Sequence, residues 1–111
     1  DGQFFKGSVS GSLLIVTDKN FEREVLKYDG VVLVVSSSDS DYIEELTWMS
    51  SEEYLFPEKA KAVILDVGNS GKTMQAYDMW NNHRVLVFKD GKEKYFRDYD
   101  AIMWWLMFKY R

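Results

Sequence analysis

Residues 31–35 read Val31-Val32-Leu33-Val34-Val35, five aliphatic side chains with no polar residue among them. A half-exposed strand alternates apolar and polar side chains. An unbroken apolar run suits a strand covered on both faces, as in the middle of an α/β sheet. Next come Ser36-Ser37-Ser38-Asp39-Ser40-Asp41, whose side chains accept from the free N–H groups at a helix start. Tyr42-Ile43-Glu44-Glu45-Leu46 follows with helical apolar spacing. In open α/β sheets, the end of a central strand running into a helix is where ligands and chemistry gather. Here that junction carries no cysteine, no histidine and no glycine-rich turn. The sequence describes a site-bearing architecture without its site chemistry.

A chain of 111 residues builds one compact domain and is too short for two. That domain is expected over residues 13–111, behind a leader or linker over residues 1–12, which are spotted with glycine and serine. The net charge of −4 disfavours nucleic acid as a partner. The acid is unevenly placed: residues 39–58 carry seven carboxylates and no Lys or Arg, whereas residues 84–111 carry seven basic residues against four acids. With no cysteine, disulfides, thiolate nucleophiles and Cys-ligated metals are excluded. The single histidine, His83, argues against a zinc site or a Ser–His pair. No metal, no cofactor and no enzymatic activity are expected. The longest apolar run, residues 101–108, falls far short of a spanning helix, so no membrane insertion by this segment is expected.

Taken in order, the chain predicts a short strand at 13–16 and a helix from Thr17-Asp18 to Lys27, buried through Phe21 and Val25. The central strand leads into an acidic helix over about 40–54, buried through Ile43, Leu46 and Ser50 or Met49. A strand over 62–67, a polar loop at Gly68-Asn69-Ser70-Gly71 and a helix over 72–80 come next. A strand over 85–89, an Asp90-Gly91 hairpin turn and a returning strand over 93–96 then lead to a final helix. Asp98 or Asp100 caps that helix, which runs through Lys109. The expected order is βαβαβαββα, an α/β fold with a central mixed sheet flanked by helices.

This order resembles the thioredoxin-like fold. Thr17-Asp18-x-x-Phe21 with Glu24-Val25-Leu26 resembles the family's opening helix, and Val32-Leu33-Val34 its central strand. Val85-Leu86-Val87-Phe88-Lys89-Asp90-Gly91-Lys92 resembles the segment after the family's cis-proline. Tyr95 and Arg97 ahead of Ile102 and Leu106 look more like the protein disulfide isomerase branch. The resemblance spans residues 13–106, but the family's functional residues do not carry over. Its C-x-x-C positions fall on Asp41, Tyr42, Ile43 and Glu44, the aromatic before them on Ser40, its buried carboxylate on Val35 and its cis-proline on His83. No carboxylate substitutes for the thiolate in disulfide exchange. The resemblance therefore implies a redox-inactive domain within a disulfide isomerase- or chaperone-like protein. It would bind a peptide, a client or neighbouring thioredoxin-like domains, in the endoplasmic reticulum or secretory pathway, with the cytoplasm as alternative. The peptide groove it implies holds Tyr42, Trp80, His83 and Arg84.

Three other features compete. Gly68-Asn69-Ser70-Gly71-Lys72-Thr73 suggests a phosphate-binding loop, but the spacing puts Asp66 where the first glycine belongs. A polar turn before a helix is the simpler reading. The acidic helix face lacks the alternating ligands and central glycine of a calcium loop, and adjacent Glu44 and Glu45 point apart, so neither metal nor acid–base chemistry follows. The final helix is apolar nearly all round. A sheet can cover Ile102, Trp105 and Leu106, which leaves Trp104, Met107 and Phe108 as an interface for a partner, a neighbouring domain or a homodimer. A structural module that self-associates through this helix is the alternative function.

Overall fold

The computed structural model describes residues 13–51, 56–80 and 85–110. Its core is a five-stranded mixed sheet in the order β1-β3-β2-β4-β5, flanked by helices. Strands β1 (Leu14–Val16), β3 (Ala60–Leu65) and β2 (Val31–Ser36) are parallel; β4 (Leu86–Lys89) and β5 (Lys92–Lys94) continue the sheet antiparallel.

Every residue of β2 is buried, because each face has its own cover. Val31, Leu33 and Val35 point to one layer, with Ile43, Leu46 and Met49 of helix α2 (Ser40–Ser51) and with Ile102 and Leu106. Val32 and Val34 point to the other, with Phe21, Val25, Met74 and Phe88. Strand alternation splits one apolar run between two cores. Phe88 anchors the second layer, edge-on to Phe21 at 5.7 Å and to Tyr77 at 5.2 Å.

Several expected boundaries move. The opening helix is a single wide turn, α1 (Glu22–Leu26), closed by the Lys27 N–H on the Glu22 carbonyl at 2.9 Å. The strand expected over 62–67 starts earlier and stops at Leu65, because the Asp66 side chain accepts from the Gly68 N–H and starts a tight turn over Val67–Asn69. Helix α3 (Gly71–Ala76) is shorter than the expected 72–80. Asp78 takes a left-handed φ of 56° and the Met79 N–H bonds back to the Met74 carbonyl at 2.8 Å, a helix stop usually made by glycine. The returning hairpin strand is likewise early, at Lys92–Lys94 rather than 93–96. The Asp90-Gly91 turn itself is as expected: both residues have positive φ, 51° and 84°, the primed geometry that matches strand twist.

The last helix, α4 (Tyr99–Trp104), continues as a wider turn over Trp105–Lys109. Asp98 is its cap, accepting from the Ala101 N–H at 2.9 Å. Ile102 and Leu106 are buried, as the spacing requires. Among the described residues, no helix is long and apolar enough to cross a membrane. The leader over 1–12 and the end of the acidic helix at 52–54 lie outside the described residues.

Candidate functional site

The junction after β2 is built from its own polar run. Ser36 Oγ lies 2.8 Å from Ser38 Oγ and accepts from the Ser38 N–H, and Ser37 Oγ accepts from the Val67 N–H at 3.0 Å. These hydroxyls are taken up by each other and by two backbone N–H groups, one in the strand-to-helix turn and one in the turn after β3. Of the four positions on which the resemblance puts C-x-x-C, Asp41 and Glu44 are exposed and Ile43 is buried. Val35, where the resemblance puts a buried carboxylate, is fully buried among apolar side chains.

Tyr42 is the member that meets other groups. Its ring stacks on Tyr99 at 4.6 Å, and the Tyr99 hydroxyl donates to Glu45 Oε2 at 2.9 Å. Burial, and then the bond to Glu45, push the Tyr99 phenol well above the ordinary tyrosine range. A cleft of about 200 Å³ opens beside this pair, lined among others by Tyr42, Val85, Tyr95, Phe96, Tyr99 and Ile102. Charged residues rim it: Glu93, Lys94, Arg97 and Asp98. It lies where the start of β4, the end of β5 and the first turns of α2 and α4 converge. Of the groove expected from sequence, Tyr42 lines this cleft and Trp80, 57% exposed, does not. His83 and Arg84 lie outside the described residues.

The glycine-flanked loop before α3 has an internal occupant. The Asp18 carboxylate accepts from the Lys72 N–H at 3.1 Å, the Thr73 N–H at 2.9 Å and the Thr73 hydroxyl at 2.7 Å. These bonds, the Thr73 hydroxyl foremost, hold Asp18 below the usual carboxylate range. The helix start that invited a phosphate reading is thus capped by a carboxylate from a distant loop. Among the described residues, no three His, Asp or Glu side chains are placed to hold a metal ion.

The expected interface residues separate. Trp104 and Phe108 are exposed, at 55% and 70%, with their rings 5.9 Å apart. Met107 is half-buried against the core. Sequence reasoning missed Tyr99, Phe96 and the capping role of Asp18. Only the short polar segment ahead of Tyr99 hinted that a tyrosine there sits at a helix start, beside whatever the sheet end holds.

No protein-family model matches the sequence, and no curated protein matches it.

Proposed function

We propose that this chain is a redox-inactive domain of the thioredoxin-like fold that binds an extended peptide or client segment in the Tyr42–Tyr99 cleft. The support for the fold is the combination of element order βαβαβαββα with the sheet order β1-β3-β2-β4-β5. The single observation that carries the function is the place of Tyr42. It stands where the resemblance puts the first residue between the two cysteines, and there it forms a wall of an aromatic cleft instead of a thiol centre.

The size of the cleft narrows the ligand. Pockets for small-molecule ligands run from about 300 to 1,000 Å³. A cleft of about 200 Å³ takes one large side chain, not a cofactor. A segment lying over the cleft would insert one apolar residue between Tyr42, Phe96 and Ile102, with its neighbours over the charged rim. That is the economy of extended-peptide recognition, in which main chain gives affinity and one pocket gives selectivity.

Fluorescence anisotropy with a labelled, reduced and alkylated unfolded protein tests the reading. Saturable binding is expected, and Tyr42→Ser weakens it about tenfold, the equivalent of about 1.4 kcal/mol. Binding unchanged by Tyr42→Ser contradicts the cleft as the site. The exposed Trp104–Phe108 pair favours a second reading, self-association through the final helix, which sedimentation over a range of concentrations tests.

A further inference from the structure

The outer faces of α2 and α4 form a surface separate from the cleft. Both helices bury their inner residues in the same core layer. Their first turns are tied by the Tyr42–Tyr99 stack and the bond from Tyr99 to Glu45. Their far ends both approach the start of β3: Ser50 lines one surface cleft with Phe56 and Ala60, and the Tyr110 hydroxyl donates to the Lys59 carbonyl at 3.4 Å. The helices therefore lie side by side and run in the same direction. Between one and two turns beyond its stacked tyrosine, each projects a tryptophan to solvent: Trp48 is 58% exposed and Trp104 55%. Phe108, 70% exposed, follows Trp104 by one turn.

The two tryptophans differ in their company. Trp104 has Phe108 beside it and the Lys109 ammonium 5.7 Å from its ring centre. Among the described residues, every charged side chain on the helix of Trp48 is an acid. Glu44 and Glu45 stand one turn before it and Asp41 one turn further, all exposed, on a helix with no basic residue. Asp100 adds a fourth exposed carboxylate at the start of α4.

Exposed aromatics on neighbouring helices of a small domain mark an interface. The charge selects the occupant. A twofold dimer places the same patch on both partners, and here it would bring four carboxylates from each against the other's, with Lys109 beside Trp104 as the cation to offset them. A cationic partner meets no such repulsion. Its Lys or Arg side chains reach the face of Trp48 and the carboxylates one turn away together. We propose that this face docks a cationic amphipathic segment of another protein. Its apolar side chains would pack on Trp48, Trp104 and Phe108, and its basic ones would pair with Asp41, Glu44 and Glu45.

The test uses a short synthetic helix of leucine and lysine at helical spacing, with a leucine–glutamate helix as control. Indole N–H signals of the 15N-labelled protein report the site. The lysine helix is expected to shift the Trp48 and Trp104 signals, and the glutamate helix to leave them in place. Trp48→Ser and Glu44→Lys each weaken binding about tenfold, whereas Glu22→Lys, on the exposed side of α1, changes it by less than about twofold. Equal loss from Glu22→Lys reduces the contact to bulk charge attraction and overturns the proposal. Backbone amide shifts of the same sample centred on Tyr42 and Tyr99 also overturn it, while leaving the cleft reading intact. A stable dimer of the protein alone with Trp48 buried overturns it in favour of self-association.

Discussion

Tyr99 joins two helices through one ring, stacked on Tyr42 and hydrogen-bonded to Glu45. Its phenol is held protonated well beyond the ordinary range by burial and by the neighbouring carboxylate. Because the folded value is raised, the stability it lends is present below the free tyrosine value near 10 and is lost as pH rises through the folded value. Tyr99 should therefore form phenolate only as the protein unfolds in alkali. Tyr99→Phe should remove that late step from the near-ultraviolet titration and lower stability at neutral pH by about 1 kcal/mol in urea melts. Asp18 has the opposite sign. Its lowered value lends stability that is present above the unfolded carboxylate value near 4 and lost as pH falls through the folded one. Asp18→Asn should melt lower than the parent at pH 7, and the gap should close in strong acid; a gap that persists there would place the effect elsewhere. In the sequence Tyr99 did not stand out, and Asp18 did so only as the start of the opening helix, not as the cap of a distant one. Glu45 is 54 residues from Tyr99, and Thr73 is 55 from Asp18, so no local pattern joins them.

Elements were legible where local chemistry and tertiary packing agree. The run Val31–Ser36 is a doubly covered strand, the Asp90-Gly91 turn is a tight hairpin, and Ile43, Leu46 and Met49 form the buried stripe of α2. Prediction slipped where a side chain acts on the backbone. Asp66 stopped β3 early by capping its own turn, and Asp78 stopped α3 by adopting a conformation that most residues avoid. The final helix shows how far spacing reaches. It placed Ile102 and Leu106 inside and Trp104 and Phe108 outside, but the wider last turn draws Met107 partly onto the core. Leu106→Ala should cost roughly 3 kcal/mol through a core cavity, whereas Trp104→Ser should stay within about 0.5 kcal/mol. Urea midpoints of the two variants check this. Equal losses would mean that the outer aromatic belongs to the core.

At the scale of the molecule, sheet and helices assemble a cleft for one side chain at the strand ends, with no thiol among its described lining residues. Val35 and Ile43, where the thioredoxin-like resemblance puts a carboxylate and one of the residues between the cysteines, are buried apolar side chains. Tyr42 and Tyr99 make the wall. The absence of thiols was plain from composition, and the strand-to-helix junction was plain from patterning. The cleft itself was not, because it is lined by residues from 42 to 102 that only the fold brings together. Net charge is equally uninformative about the α2–α4 face: the balance of −4 hides a helix that carries carboxylates alone beside an exposed tryptophan. A backbone chemical-shift map of the 15N-labelled protein, titrated with a reduced and alkylated unfolded protein, bears most directly on the central claim of a binding cleft without thiol chemistry. The account predicts perturbations centred on Tyr42, Phe96, Tyr99 and Ile102. A map that leaves those four residues unmoved at saturation would contradict it.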